Sequence, residues 1–312
     1  MPVRPVFIVG CFRSGTTLVR LILNSHSRIC VSDEARYLAK RIPASSVDSG
    51  YTQSEAEKLI QVIRRTLKRQ RWQSVPSAME IMSHIRAYPV PLAEIAEVVA
   101  SYPWKKQDLL YWGDNTPVYI EHWETIASRF PGAKFVNLIR DPRDVVASSR
   151  SIACGFGFSV YSAASIWRKR AEIATRMAKT IGNNFISIRY EDIVSNPNEE
   201  VIRLCRFLGI EYENSMLQYN QSDEAMNMAG GQPHHKNVVR PVNTSSIGKY
   251  MNILSDHEIG IVERVCATWM ERFGYKCSIV DDMNEVSASE KLSGIIETFF
   301  LQICDRVYQI TR

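Results

Sequence analysis

The chain has 312 residues, 45% of them hydrophobic, enough for one large α/β domain or two smaller ones. Its formal net charge of +5 is spread along the chain, a slight tilt toward an anionic ligand and no signature of nucleic-acid binding. No apolar run is long enough to span a membrane, the seven cysteines include no C-x-x-C pair, and the adjacent His234 and His235 cannot share a helix face, so a membrane span, a disulfide framework and a zinc site are not expected.

The first segment, "VFIVG" (6–10), is a β-branched apolar run ending at glycine, and Leu18, Leu21 and Ile22 follow at helical spacing. It is too short for a signal peptide, and a soluble, cytoplasmic protein is the expectation. Residues 53–72 read as a helix with Leu59, Ile60, Ile63 and Leu67 inward and a basic outer face. "YPVPLAE" (88–94) marks a turn and a new helix. "AKFVNLI" (133–139) is a second buried strand, followed by a helix that Asp141 can cap, with Pro142 at its first position. A helix is expected over 160–181 and a third strand over 184–190. The next helix starts near Pro197 and stops at Gly209, and another runs over 255–273 with Ser255 as its cap. "SIVDDMNEV" (278–286) reads as a linker. The last segment is an amphipathic helix whose Leu292, Ile295, Ile296, Phe299, Phe300 and Ile303 make one stripe. Apolar strands alternating with helices predict an α/β fold: a three-layer P-loop-type domain with a central, mostly parallel sheet flanked by helices, plus a C-terminal helical extension. Residues 1–277 form the domain. Residues 278–312 are the linker and a helix that packs on the domain or on a partner subunit of a homodimer.

Two loops carry chemistry. "GCFRSGTT" (10–17) has the glycine spacing of a phosphate-cradling loop, yet Thr16 stands where a nucleotide triphosphatase carries lysine. Gly10 and Gly15 permit a tight turn and close approach of an anion. Backbone amides and the helix dipole converge there, Ser14, Thr16 and Thr17 add hydroxyls, and Arg13 adds a permanent cation. The missing lysine weakens an ATP or GTP reading and favours a ligand without a γ-phosphate. The second loop supplies Arg140 at a strand end and Ser148 two helical turns later. Arg140 either pairs with Asp141 or Asp144, or joins the first loop on a ligand with two phosphates. Both loops lie at the carboxyl ends of strands, where such folds bind ligands.

These segments resemble the sulfotransferases that use 3′-phosphoadenosine-5′-phosphosulfate (PAPS). "RSGTT" is similar to their 5′-phosphosulfate loop and "LIRDPRDVVASS" to their 3′-phosphate motif; "IRYEDIV" and "RPVNTSSIGKY" resemble two further segments, in order from residue 6 to about Tyr275. The resemblance is nearest the bacterial and tyrosylprotein branch. It implies that Arg13, Ser14, Gly15, Thr16 and Thr17 hold the 5′-phosphosulfate and that Arg140 and Ser148 hold the 3′-phosphate. Tyr190 would lie near the adenosine, while Ser246 and Lys249 close over the phosphates. Glu34 falls on the general base of the tyrosylprotein type and Arg36 on the arginine beside it, a substrate-binding position; the alternative is a surface carboxylate paired with Arg36. In "WGDNTPVY" this chain has Asn115, a candidate catalytic position, where the family commonly has lysine, so either Arg13 suffices to stabilise the transferring group, another cation such as Lys105 or Lys106 reaches in, or activity is reduced.

The implied activity is sulfuryl transfer from PAPS to a hydroxyl, or less favourably a nitrogen, of a small metabolite, natural product or carbohydrate. It would leave 3′-phosphoadenosine-5′-phosphate (PAP) and need no metal, nucleic acid or membrane. Aromatic residues such as Trp72, Tyr88, Trp104, Tyr111 and Trp112 would line the acceptor pocket or pack in the core. Alternatives are protein-tyrosine sulfation, a nucleotide kinase with a degenerate phosphate loop, and a nucleotide-binding protein without activity.

Overall fold

The computed structural model describes residues 3–38, 50–70, 75–102, 106–150, 159–231, 237–278 and 286–310. Trp72, Trp104, Lys105, His234, His235 and most of the 278–286 linker lie outside them. The chain opens with strand β1 (Arg4–Gly10), helix α1 (Thr16–Asn24) and strand β2 (Ile29–Ser32). Helices α2 (Gln53–Arg69), α3 (Ala78–Ser83) and α4 (Leu92–Ser101) precede strand β3 (Tyr111–Asp114). A 3₁₀ turn (Pro117–His122) leads into α5 (Trp123–Arg129), then strand β4 (Lys134–Ile139), α6 (Pro142–Arg150) and α7 (Val160–Ile181). Strand β5 (Phe185–Arg189) is followed by α8 (Tyr190–Ser195), α9 (Pro197–Leu208), α10 (Asp223–Gly231), α11 (Asp256–Arg272) and α12 (Ala288–Ile310).

The five strands form one sheet in the order β2-β3-β1-β4-β5, every pairing parallel. The central strand is apolar on both faces, with Val6, Phe7, Ile8 and Val9 all buried, as a sheet covered on both sides requires. Phe7 and Val9 face a core built from α2, α4, α5 and part of α7; Val6 and Ile8 face one built from α1, α8 and α9. A third cluster joins α6, α7 and α11. Local signals set the helix ends: Thr52, Ser77 and Ser255 each complete a capping box with the glutamate three residues on, and Gly209 closes α9 at φ 67°.

The structure shifts one boundary, decides one open reading and adds two strands. Tyr190 starts α8 instead of ending β5, because its backbone turns helical where Glu191 reaches back to the Asp141 amide at 2.9 Å. Of the two readings of Tyr111 and Trp112, pocket lining or core, the structure supports the core: both are buried, Trp112 packs on Phe7 and Phe130, and the Tyr111 hydroxyl donates to the Leu208 carbonyl at 2.6 Å. The sheet also has β2 and β3, which the sequence did not suggest. Edge strand β2 is closed by a side chain: Asn24 donates to the Val31 carbonyl at 2.9 Å and accepts the Val31 amide at 2.6 Å, standing in for a missing neighbour strand. Helix α12 meets α7 through Gly294 and Thr298, while Leu292, Ile295, Ile296, Phe299 and Phe300 are exposed.

Candidate active site

The turn after β1 is set by backbone geometry. Gly10 adopts φ 137°, and a Cβ there would sit 2.3 Å from the Leu138 carbonyl oxygen of β4, so no other residue fits. Arg13 and Gly15 are both left-handed, at φ 61° and 92°, a fold that points successive amides inward. Helix α1 then begins at Thr16 with no side-chain cap and no acidic residue in its first turn. Its positive end is left for an external anion. Ser14 is fully buried and its Oγ has no hydrogen-bond partner among the described residues. Burial pushes the Cys11 thiol up to about 11, which removes it as a nucleophile.

The loop after β4 meets this turn. Gly10 pairs with Leu138, so the two strand ends are adjacent. Arg13 Nε donates to Ser148 Oγ at 3.0 Å, and Arg140 Nη1 donates to the Arg13 carbonyl at 3.1 Å. Among the described residues no carboxylate pairs with Arg13. Burial, and then the charge of Arg140, make its protonated form less favourable than usual, as expected for two cations gathered ahead of an anion. Arg140 lies over the Tyr190 ring at 4.5 Å, and the same ring closes against Gly15, where a Cβ would be 2.6 Å from Tyr190 Cδ2. Tyr190 is thus a wall of the phosphate loop as well as a neighbour of Arg140.

A segment far along the chain reaches the same place. Arg140 Nη2 donates to the Ser246 carbonyl, and buried Asp144 accepts the amides of Gly248 at 2.8 Å and Tyr250 at 3.0 Å. The expected pairing of Arg140 with Asp144 is long, 3.6 Å, because that carboxylate serves the 248–250 backbone. Lys249 is exposed beside it. Asp141 caps α6 by accepting the Arg143 amide at 2.9 Å, and Trp167 Nε1 donates to the Arg140 carbonyl at 2.9 Å.

The other half of the site follows β2 and β3, whose register sets Ser32 beside Asp114. Glu34 and Arg36 lie just beyond β2 and pair with each other at 2.6 Å, both partly exposed. Asn115 follows β3; it is buried and its Oδ1 has no hydrogen-bond partner among the described residues. Beneath them Asp114 is buried, and burial raises its carboxyl to about 7 against the opposing bond from the Thr116 hydroxyl. Lys106 does not reach the site. Its Nζ is held at the amino end of β2, the opposite end of the strands, by the carbonyls of Asn24, His26 and Ile29.

Sequence reading offered Asp144 only as a partner of Arg140 and missed Thr116 and Arg170. Arg170, within α7, donates to the Gly10 carbonyl at 3.2 Å and pairs with Glu121 at 2.9 Å, a second cation behind the loop. Only the fold brings it there. Each of the five parallel strands therefore delivers at least one candidate residue at its carboxyl end: Arg13 to Thr17 after β1, Glu34 and Arg36 after β2, Asn115 after β3, Arg140 and Ser148 after β4, and Tyr190 after β5. Among the described residues no group of three or more His, Cys, Asp or Glu is placed to hold a metal ion.

The profile of the sulfotransferase family matches residues 5–214, which span all five strands. The chain belongs to the sulfotransferase family. Among relatives, it is 26% identical over 258 residues to a protein-tyrosine sulfotransferase of Drosophila melanogaster, covering 79% of this chain and 46% of that protein. It is 24% identical over 281 residues to protein-tyrosine sulfotransferase 2 of Gallus gallus, covering 86% and 69%. The sulfotransferase thus spans about half the length of the fly relative. In fold it is similar to the sulfotransferase domain of the Synechococcus PCC 7002 olefin synthase, at 20% identity and TM-score 0.61, covering 88% of this chain and 96% of that domain. The sulfotransferase domain of the curacin biosynthetic pathway matches at 17% identity and TM-score 0.52, covering 88% and 99%.

Proposed function

We propose that this sulfotransferase moves a sulfuryl group from PAPS to an acceptor hydroxyl. The observation that carries the reading is the pair of cations Arg13 and Arg140, gathered with a buried Ser14 hydroxyl that has no partner among the described residues, at a helix N-terminus without a side-chain cap. That donor set fits a bisphosphate nucleotide: the β1 loop suits the 5′-phosphosulfate, and Arg140 with Ser148 suits the 3′-phosphate. A lysine for a γ-phosphate is not needed.

When bound, PAPS supplies the sulfuryl group, and PAP is what it leaves behind. Glu34 takes the proton of the acceptor hydroxyl as the new O–S bond forms and the bond to the 5′-phosphate breaks. Arg13 and the loop amides balance the charge gathering on the leaving phosphate, so fixed donors do the work without a metal. Arg36 holds Glu34 between turnovers and orients the acceptor. Asn115 donates a neutral hydrogen bond where the family commonly has lysine, which places the demand for positive charge on Arg13.

The acceptor is a small metabolite, natural product or carbohydrate hydroxyl in our reading. The names of the fly and chicken relatives favour a second one, tyrosine in a protein. Thermal-shift titration with PAP and with ATP, each with and without magnesium, tests the nucleotide. Stabilisation by PAP alone is expected; stabilisation only by magnesium-ATP would turn the reading toward a kinase. Labelled PAPS offered with sugars, simple phenols and tyrosine peptides separates the acceptors, and PAP binding without transfer to any of them would favour a protein without activity.

A further inference from the structure

The register of β2 and β3 runs Ser32 beside Asp114, and the backbone ladder makes its last rung from the Asn115 amide to the Ser32 carbonyl at 3.1 Å. One position further, level with Glu34, the ladder is replaced by a side chain. Thr116 is fully buried, and its Oγ donates to Asp114 Oδ1 at 2.5 Å. The same oxygen accepts the amide of Ala35 at 3.1 Å and that of Arg36 at 3.4 Å. One donated and two accepted bonds exhaust a hydroxyl, so its orientation is fixed by Asp114. Arg36 sits at φ 57°, a left-handed conformation that an arginine does not hold unaided. Tyr119 adds a second hold, its hydroxyl accepting the Leu38 amide at 3.1 Å.

We infer that Thr116, oriented by Asp114, is a positioning residue that sets the Glu34–Arg36 turn and thereby aims the Glu34 carboxylate at the acceptor. The inference rests on the reading of Glu34 as the base. A general base is effective only within hydrogen-bond reach of its proton, and a displacement of about 1 Å can cost about a hundredfold in rate. The turn bears Glu34 and Arg36 on an irregular segment, and the Thr116 hydroxyl holds both the Ala35 and the Arg36 amides, with the Asp114 carboxylate also bonded to the Ala35 amide and Tyr119 holding Leu38 beyond.

The test uses Thr116→Val, which keeps the shape and removes the hydroxyl, with Thr116→Ser as the rescuing variant. Transfer from labelled PAPS is read with 4-nitrophenol, an acidic tyrosine peptide and water as acceptors, beside PAP affinity. Hydrogen–deuterium exchange at the Ala35 and Arg36 amides is read in the free protein. Thr116→Val should lower kcat by about 10- to 100-fold with PAP affinity unchanged. Exchange at both amides should accelerate, and Thr116→Ser should restore both properties. In a Glu34→Gln background Thr116→Val should add no further loss, because it acts through Glu34. Parental kcat in Thr116→Val, a matching loss of PAP affinity, or a multiplied loss beside Glu34→Gln would overturn the inference. Thr116→Ala, which leaves room for water among the stranded groups, must show the same split should the valine variant not fold. Parental transfer by Glu34→Gln alone would instead overturn the reading of Glu34, so the two failures are distinct.

Discussion

Arg140 donates from Nη1 to the backbone carbonyl of Arg13 at 3.1 Å, so the cation that follows β4 braces the turn that carries the cation following β1. The two charges stand together with no carboxylate on Arg13 among the described residues and only the long, 3.6 Å pairing of Arg140 with Asp144, a costly arrangement unless an anion completes it. Arg13→Ala and Arg140→Ala should each weaken PAP binding by about 10- to 100-fold, the scale of one charge-assisted hydrogen bond. Their effects on the free protein should differ. Arg13→Ala relieves the repulsion and should leave the melting temperature unchanged or raised. Arg140→Ala also strips the contacts with Tyr190 and the Ser246 carbonyl and should lower it. Calorimetric titration and thermal melts of both variants check this. Loss of binding in neither would remove the bisphosphate reading.

Glu34 is tied to Arg36 on its own turn, away from the phosphate loop by the width of two strand spacings, about 10 Å along the sheet. Its substitution should therefore separate chemistry from nucleotide binding. Glu34→Gln should lower transfer by about 10²- to 10⁴-fold, the usual worth of a positioned general base, with PAP affinity at the parental value. Single-turnover transfer beside PAP titration reads both. An equal loss in the two measurements would mean that the turn supports the nucleotide site instead.

Half of the site was legible in the sequence because its strands are long apolar runs: "VFIVG" and "AKFVNLI" announce β1 and β4, and a glycine-rich turn or an arginine must follow them. β2 and β3 were not legible. Their four residues, Ile29 to Ser32 and Tyr111 to Asp114, include Ser32, Gly113 and Asp114, which read as turn formers. Gly113 is there because a Cβ would lie 2.4 Å from the Val6 carbonyl oxygen, a contact only the sheet reveals. Glu34 and Asn115, which follow those hidden strands, were reached through family resemblance. Thr116 was reached by neither route, and Asp144 only as a partner of Arg140, since the backbone amides they hold are distant in sequence. The same limit misled the reading of Lys106, whose charge suggested an anion while its three bonds go to carbonyls.

Asp144 holds the 248–250 backbone with both carboxylate oxygens. In Asp144→Asn one oxygen becomes an NH₂ that faces an amide it cannot accept, so one of the two bonds is lost and a donor is left opposed by a donor. The segment bearing Ser246 and Lys249 should loosen. Hydrogen exchange at Gly248 and Tyr250 should accelerate, and PAP affinity should fall more than the transfer rate at saturating donor. Unchanged exchange would show that the segment is held by other contacts.

Asn115 is buried, its side-chain oxygen without a partner among the described residues, in the position where the family commonly carries lysine. If this position faces the transferring group, Asn115→Lys adds a charge at the leaving phosphate and should not lower the transfer rate. Steady-state transfer by the variant, with PAP binding as the control for folding, tests it. A large loss with binding intact would assign the asparagine a role of its own.

Asp114 gives the fold a pH dependence whose sign can be worked out. An aspartate in the unfolded chain ionises near pH 4, whereas burial moves this one to about 7, with Glu34 pushing the same way. Between those values the folded protein keeps a proton that the unfolded chain has lost, so stability falls as pH rises through the window. Asparagine has no ionisation to penalise. The stability of Asp114→Asn relative to the parent should therefore improve steadily from about pH 5 to about pH 8, whatever its deficit at the acid end from the altered bond to Thr116. Melts of both proteins across that range provide the measurement. A constant difference would mean that the carboxyl does not titrate in the window, and that solvent or a bound cation reaches Asp114 at the end of β3.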